Sequence, residues 1–189
     1  KLSDLSPSER YQRAKTRAKG VELTNFISTL KFPLDDFQER ACLALESGSG
    51  VLVAAPTGAG KTIIGEFAIH LAVASGQKVF YTTPIKALSN QKFAELAARY
   101  GKEKVGLLTG DANNNSEAQI VVMTTEVLRN MIYARSDALN RLGVVVLDEV
   151  HFLQDAYRGP VWEEVIIHLD PTVQLVCLSA TVPNATEVT

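Results

Sequence analysis

A glycine-rich segment at residues 54–62 has the residue types and spacing that bind phosphate groups. The segment is Ala-Ala-Pro-Thr-Gly-Ala-Gly-Lys-Thr, and it lies between an apolar, strand-like run and a helical pattern. Gly58 and Gly60 allow successive backbone amides to point at phosphate oxygens, and the following helix adds the partial positive charge of its N-terminus. We expect Lys61 to contact the β- and γ-phosphates and Thr62 to bind Mg²⁺. The predicted nucleotide-binding loop comprises Pro56, Thr57, Gly58, Ala59, Gly60, Lys61 and Thr62.

A second segment places two carboxylates directly after an apolar run. Residues 144–147 are Val-Val-Val-Leu, and Asp148, Glu149, Val150 and His151 follow them. Asp148 at a strand end could hold Mg²⁺ through water, and Glu149 could orient and deprotonate a water that attacks a phosphate. An acidic pair alone is weak evidence, but together with the glycine-rich loop it predicts hydrolysis of ATP with Mg²⁺. The chemistry of His151 alone does not separate a catalytic from a structural role, and we keep it among the catalytic candidates.

The elements that would position these residues alternate along the chain. Short apolar, β-branched runs are followed by helical patterns, which predicts an α/β fold with a mostly parallel sheet covered by helices on both faces. The predicted strands are Val51–Ala55, Val79–Thr83, Val105–Thr109, Ile120–Thr124, Val144–Leu147 and Leu175–Ser179. The predicted helices are 4–19, Asp36–Ser47, Thr62–Ala74, Ala87–Tyr100, Glu126–Ala134 and Val161–Leu169, with an exposed turn at Asn113–Ser116. We divide the chain into an N-terminal helical extension, residues 1–30, and one domain, residues 31–189.

Composition limits the classes of function. The chain has 189 residues and a formal net charge of −2, so contact with nucleic acid would need a local patch or backbone amides. Cys42 and Cys177 lie in apolar surroundings and are predicted to be buried free thiols in a reducing compartment. No apolar run approaches the ~20 residues of a membrane span, and the polar start lacks a signal-peptide pattern. We expect a cytoplasmic monomer without a membrane partner.

The acidic motif, together with Ser179-Ala180-Thr181, resembles the superfamily 2 DExH-box helicases. The resemblance spans roughly residues 32–183. It is particularly similar to the superkiller-type, exosome-associated branch and to bacterial HelY-type helicases. The stretches that carry this similarity are 83–92, 109–111, 124–130 and 158–163. The resemblance implies a RecA-like P-loop NTPase fold, the first of two motor domains.

The resemblance also implies roles for residues outside the two phosphate motifs. Phe32 would stack on adenine and Gln38 would pair with its edge, the alternative being that Phe32 is core and Gln38 caps a helix. His151 and the segment Ser179, Ala180 and Thr181 would couple the nucleotide site to the strand path, the alternative for the segment being a plain strand end. The predicted strand path contains Pro84, Lys86, Gly110, Asp111, Thr125 and Arg129, whereas Glu126 more simply caps its helix. These positions follow strand ends or begin helices, where amides and hydroxyls bind phosphates without reading sequence.

The implied activity is ATP-driven movement along a single strand, with RNA favoured over DNA. A second RecA-like domain would supply arginine fingers, so we expect residues 1–189 alone to bind nucleotide weakly, hydrolyse it slowly and not unwind a duplex. Three alternatives stay open. They are a DNA helicase or translocase, a nucleotide-gated clamp that does not unwind, and, least favoured, a P-loop kinase or transporter ATPase.

Overall fold

A seven-stranded sheet forms the centre of the molecule. The computed structural model describes residues 20–150 and 159–180. The strands are β1 (Val51–Ala54), β2 (Lys78–Thr83), β3 (Val105–Thr109), β4 (Ala112–Asn114), β5 (Ile120–Thr124), β6 (Leu142–Leu147) and β7 (Gln174–Ser179). Their order across the sheet is β1-β7-β6-β2-β5-β3-β4, and every pairing is parallel except that of β3 with β4. The carboxyl ends of six strands therefore meet at one edge.

Helices cover both faces of this sheet. They are α1 (Val21–Ser28), α2 (Asp36–Glu46), α3 (Thr62–Ala74), α4 (Lys86–Tyr100), α5 (Thr125–Tyr133) and α6 (Gly159–His168), with a short 3₁₀ turn at Asp137–Leu139. The core on one face contains residues of the four helices α1, α2, α3 and α4. They pack against alternate strand residues such as Tyr81 and Val146. The core on the other face contains residues of α5 and α6. They pack against the strand residues that point to this face, such as Phe80 and Val145. All six residues of β6 are buried because both faces of the strand are covered.

The predicted α/β class, with its mostly parallel sheet and helices on both faces, is confirmed. All six predicted strands are present. The turn predicted at Asn113–Ser116 is wrong in part, because Asn113 and Asn114 lie in β4 and pair with β3. Exposed edge strands tolerate polar side chains, so the composition of β4 resembles that of a turn. Cys42 and Cys177 are buried and free, and burial raises the pKa of these thiols to about 12 and about 11 respectively.

Helix α1 was not predicted, and it belongs to the core. Leu23 and Phe26 are buried in the same cluster as the residues of α3, and the Phe26 ring lies 5.2 Å from the Phe67 ring. The division at residue 30 stays a prediction, although α1 lies on its N-terminal side and packs with the rest. The helix predicted at 4–19 lies outside the described residues. None of the helices within the described ranges is long and apolar enough to cross a bilayer.

A carboxylate from α2 caps the N-terminus of α1. Glu46 accepts hydrogen bonds from the backbone N–H groups of Glu22, at 2.9 Å, and Leu23, at 3.1 Å. The first N–H groups of a helix have no partner within the helix, and the helix dipole favours a negative charge there. Glu22 in turn pairs with His70 of α3 at 2.8 Å. These contacts fix α1 and, with it, the chain that continues to Phe32.

We predict that Glu46→Ala lowers the free energy of unfolding by about 1 kcal/mol, because two N–H groups of α1 lose their acceptor. Urea denaturation measures this quantity. Glu163→Ala, at an exposed position of α6, is the control and should change stability much less. Equal losses in the two variants would contradict the capping role of Glu46.

Candidate functional site

The glycine-rich loop turns tightly between β1 and α3. Gly58 and Gly60 have φ angles of +84° and +74°, values in the left-handed region that other residues rarely adopt. The Ala59 N–H donates to the Pro56 carbonyl at 3.1 Å, which closes a turn within the loop. The loop thus has the conformation that its two glycines predicted, and it ends at the N-terminus of a 13-residue helix.

Lys61 places its ammonium group inside this loop. Its Nζ donates to the carbonyl oxygens of Ala55, at 2.7 Å, and Pro56, at 2.9 Å. A cation held over the loop is positioned to pair with an anionic group that binds there. Both contacts are with backbone oxygens of neutral peptide groups, which a phosphate oxygen could replace.

The acidic motif is fixed by the neighbouring strand β2. The Asp148 N–H donates to the Thr82 carbonyl at 3.0 Å, one residue beyond the end of β6. Tyr81 donates its hydroxyl to Asp148 Oδ2 at 2.5 Å, and the Glu149 N–H donates to Asp148 Oδ1 at 2.9 Å. Glu149 has a φ of +56°, which is rare for a residue with a side chain and turns the chain sharply after Asp148.

Tyr81 is a site residue that the sequence analysis missed. Its side chain is fully buried, and burial followed by the negative charge of Asp148 raises its pKa well above the usual value. The hydroxyl therefore stays protonated and stays a donor to Asp148. The sequence shows Tyr81 only as one more residue of an apolar strand, and the contact across 67 positions has no local signal.

The two phosphate motifs converge as predicted. Thr62, Asp148 and Glu149 line one cleft at the carboxyl edge of the sheet, together with Gln91 and Lys92 of α4. A hydroxyl and a carboxylate are the hard oxygen ligands that Mg²⁺ prefers. Among the described residues no group of three or more acidic, histidine or cysteine side chains gathers to hold a metal.

A second pocket adjoins the glycine-rich loop. Phe32 lines it with 54% of its surface exposed, so the alternative that Phe32 is a core residue is wrong. Gln38 does cap α2, because its Oε1 accepts from the Asp35 N–H at 2.9 Å. Its Nε2 also donates to the Gly60 carbonyl at 3.0 Å, which ties α2 to the loop. The role of both residues toward adenine stays a prediction, and Phe32 is placed and exposed as stacking requires.

The predicted strand path forms a groove along the same edge. Five of its six predicted residues line that groove, namely Pro84, Lys86, Gly110, Asp111 and Thr125. Lys86 pairs across the groove with Asp111, and this pair, followed by the Thr109 hydroxyl, lowers the pKa of Asp111 below its usual value. The Thr125 hydroxyl is buried and donates to the Thr83 carbonyl at 3.3 Å, so it positions α5.

Arg129, the sixth predicted residue, does not line the groove. Its Nε lies 3.7 Å from Glu164 Oε2 on α6, and its Nη2 lies 3.9 Å from Glu126 Oε1. The guanidinium also donates to Asn130 Oδ1. Arg129 therefore joins α5 to α6, and its contact with a strand stays a prediction.

The coupling segment begins beside the glycine-rich loop. The Ala55 N–H donates to the Ser179 carbonyl at 3.2 Å, and the Ser179 hydroxyl donates to the Ala180 carbonyl at 3.1 Å. Ser179 thus contacts the chain where β1 enters the loop. Thr181 and His151 lie outside the described residues, and their roles stay predictions.

We predict that Tyr81→Phe raises the Mg²⁺ concentration needed for half-maximal ATP binding about ten-fold, because Asp148 loses the donor that orients it. Titration of Mg²⁺ at fixed ATP measures this change. Tyr100→Phe removes the hydroxyl of a half-buried residue of α4 and should leave the titration unchanged. A Mg²⁺ dependence that is identical in both variants would show that the hydroxyl does not act on Asp148.

Comparisons with known proteins agree with this geometry. Residues 35–188 match the family model described as DEAD/DEAH box helicase. Over 88% of the chain, 66% of residues are identical to "Probable helicase HelY" of Mycobacterium leprae, but the match covers 18% of that relative. Identity is 50% with "DExH-box ATP-dependent RNA helicase DExH15 chloroplastic" of Arabidopsis thaliana and 52% with "Superkiller complex protein 2" of Mus musculus. These matches cover 93% and 82% of this chain, and 16% and 12% of the relatives.

A solved structure shows the same fold. The chain superposes on Mycobacterium smegmatis helicase Lhr bound to ssDNA and AMP-PNP with a TM-score of 0.64 and 28% identity. The match covers 88% of this chain and 25% of that one. The resemblance noted from the sequence motifs is thereby confirmed. The chain belongs to the DEAD/DEAH box helicase family, in the branch that includes HelY-type and superkiller-type DExH helicases.

Proposed function

We propose that this chain is the ATP-binding motor domain of a helicase that uses ATP hydrolysis to move along single-stranded nucleic acid. The observation that carries the proposal is the cleft in which Thr62, Asp148 and Glu149 meet. That cleft opens at the same sheet edge as the groove of Lys86 and Asp111, so one edge offers both a nucleotide site and a strand site. The matches cover less than a fifth of the relatives' length, so the activity of the longer protein is part of the proposal.

Each residue of the nucleotide site has a defined task in this proposal. The loop amides and Lys61 bind the β- and γ-phosphates, with Phe32 against the base. Thr62 and Asp148 would hold Mg²⁺, which neutralises charge on the phosphates when bound. Glu149 orients the attacking water and accepts its proton, and His151 and the Ser179–Thr181 segment transmit the state of the nucleotide site. A second RecA-like domain of the longer protein supplies arginine fingers that stabilise the transition state.

The proposed substrate is single-stranded RNA, bound by its backbone. Gly110 and the N-terminal turns of α4 and α5 offer amides beside Pro84, and Lys86 offers a cation, none of which reads a base. The Arabidopsis relative is described as an RNA helicase, which favours RNA for this chain. DNA is the second candidate because Lhr was solved with ssDNA. We further propose that the protein works as a monomer in the cytoplasm.

We predict that Glu149→Gln abolishes ATP turnover and preserves ATP binding, because the amide keeps the size of the side chain and loses the base. Phosphate release and calorimetric titration measure the two quantities on wild type and variant. Lys61→Ala is the control that should lose binding itself. A nucleotide-gated clamp would keep its biological activity with Glu149→Gln, and this result would contradict the motor.

We predict that Lys86→Ala weakens binding of single-stranded RNA by a similar factor for every sequence and lowers the slope of log affinity against log salt by about one. The measurement is fluorescence anisotropy over a range of salt, with RNA and DNA strands of equal length. Lys104→Ala, exposed beyond the amino end of β3, is the control and should leave the slope unchanged. Tighter binding of DNA than of RNA would overturn the proposed substrate.

A further inference from the structure

A charged pair lies in the pocket assigned to the nucleotide base. Glu66 of α3 and Arg99 of α4 line this pocket together with Phe32, Gln38 and Gly60. Arg99 Nη1 donates to Glu66 Oε2. The Arg99 and Glu66 side chains are 35% and 23% exposed, so both reach the pocket surface. Neither residue belongs to the glycine-rich loop, the acidic motif or the strand groove.

The position of Glu66 on α3 relates it to one part of a nucleotide. Glu66 follows Thr62 by four residues, so the two side chains lie on the same helix face about one turn apart. Thr62 stands at the phosphate end of the site and Phe32 at the base end. The sugar joins these two parts of ATP, and Glu66 shares the pocket with residues of both ends.

The chemistry of a carboxylate suits this partner. A ribose hydroxyl donates a hydrogen bond, and acidic side chains accept such bonds in dinucleotide-binding folds. A carboxylate has about four acceptor positions, and the contact with Arg99 uses Oε2. We therefore propose that Glu66 accepts a hydrogen bond from a ribose hydroxyl of ATP, so that the pocket selects ribonucleotides. This inference rests on the proposed function of the site.

Arg99 acts as the positioning residue for Glu66. Its guanidinium carbon lies 5.5 Å from the Phe26 ring of α1 and 5.7 Å from the Tyr100 ring. Cation–π contacts with two rings and the pairing with a carboxylate restrict the guanidinium to one place. Glu66 is consequently held toward the pocket before any nucleotide binds, which lowers the entropy lost on binding. Exposed ion pairs contribute little to stability, so variants of this pair should fold.

The test is calorimetric titration of the 189-residue chain and of Glu66→Gln with ATP and with 2′,3′-dideoxy-ATP, in the presence of Mg²⁺. Neither nucleotide carries a label on the sugar. Wild type should bind ATP about ten-fold more tightly than the dideoxy nucleotide, since a hydrogen bond to a charged group is lost. Glu66→Gln should bind ATP about as weakly as wild type binds the dideoxy nucleotide. The difference in its affinity for the two nucleotides should be much smaller than in wild type. The 2′-deoxy and 3′-deoxy nucleotides then identify the hydroxyl.

Two controls separate the outcomes. Inorganic tripolyphosphate has no sugar, so wild type and Glu66→Gln should bind it equally. Lys61→Ala should lose ATP and tripolyphosphate alike, and ATP binding that survives in this variant would overturn the proposed function together with the inference. If Lys61→Ala loses binding but Glu66→Gln keeps the selectivity of wild type, only the inference fails. Wild type that binds both nucleotides equally also overturns it.

Arg99→Lys provides a second variant in case Glu66→Gln does not fold, which thermal unfolding would reveal. Lysine keeps the positive charge and loses the planar guanidinium that fixes Glu66. Selectivity should fall part of the way toward that of Glu66→Gln, with binding of tripolyphosphate unchanged. Full selectivity in Arg99→Lys would show that Arg99 does not position Glu66, and a loss of tripolyphosphate binding would show a general defect of the loop.

Discussion

The carboxyl end of β2 is the part of the structure on which both sites depend. Tyr81 donates to Asp148, Thr82 accepts from the Asp148 N–H, and Thr83 exchanges a 2.7 Å hydrogen bond with the Ser89 hydroxyl of α4. All three residues are buried, so each polar group must find a partner inside the protein. Asp148 lines the nucleotide cleft, and Thr125, which donates to the Thr83 carbonyl, lines the strand groove. One strand end thus fixes the distance between the two sites.

The parallel pairing of β2 with β6 and β5 makes this arrangement possible. Parallel strands end at one edge, so the loops that follow β1, β6, β2, β5 and β3 share that edge whatever their separation in sequence. The strands can be central because they are apolar on both faces, and helices then cover both faces. Tyr81 differs from the apolar residues of these strands because it belongs both to the core and to the nucleotide site. Its ring fills the core, and its hydroxyl reaches the polar edge, as amphipathic aromatic side chains do.

The sequence predicted most of the fold because its strong signals are local. Apolar runs of strand length and two glycines before Lys61 need no knowledge of distant residues. The elements that escaped prediction depend on distant partners. Helix α1 is capped by a carboxylate more than twenty positions away. Strand β4 forms through its antiparallel pairing with β3. In the site, the motifs predicted which residues meet, whereas the Tyr81 hydroxyl that donates to Asp148 and the Gly60 carbonyl that accepts from Gln38 belong to other segments and have no spacing to reveal them.

A chain with a net charge of −2 can bind polyanions through short-range contacts with the cations of its two sites. Lys86 is paired with Asp111 and Arg99 with Glu66, so the long-range field of these two cations is largely cancelled. Each pair is partly exposed to water, and such pairs contribute little to stability. A phosphate oxygen that contacts Lys86 can therefore replace the Asp111 carboxylate, or share the cation with it, at little cost. Binding of this kind depends on short-range geometry at the sheet edge, with amides and helix N-termini supplying the donors that carboxylates do not occupy.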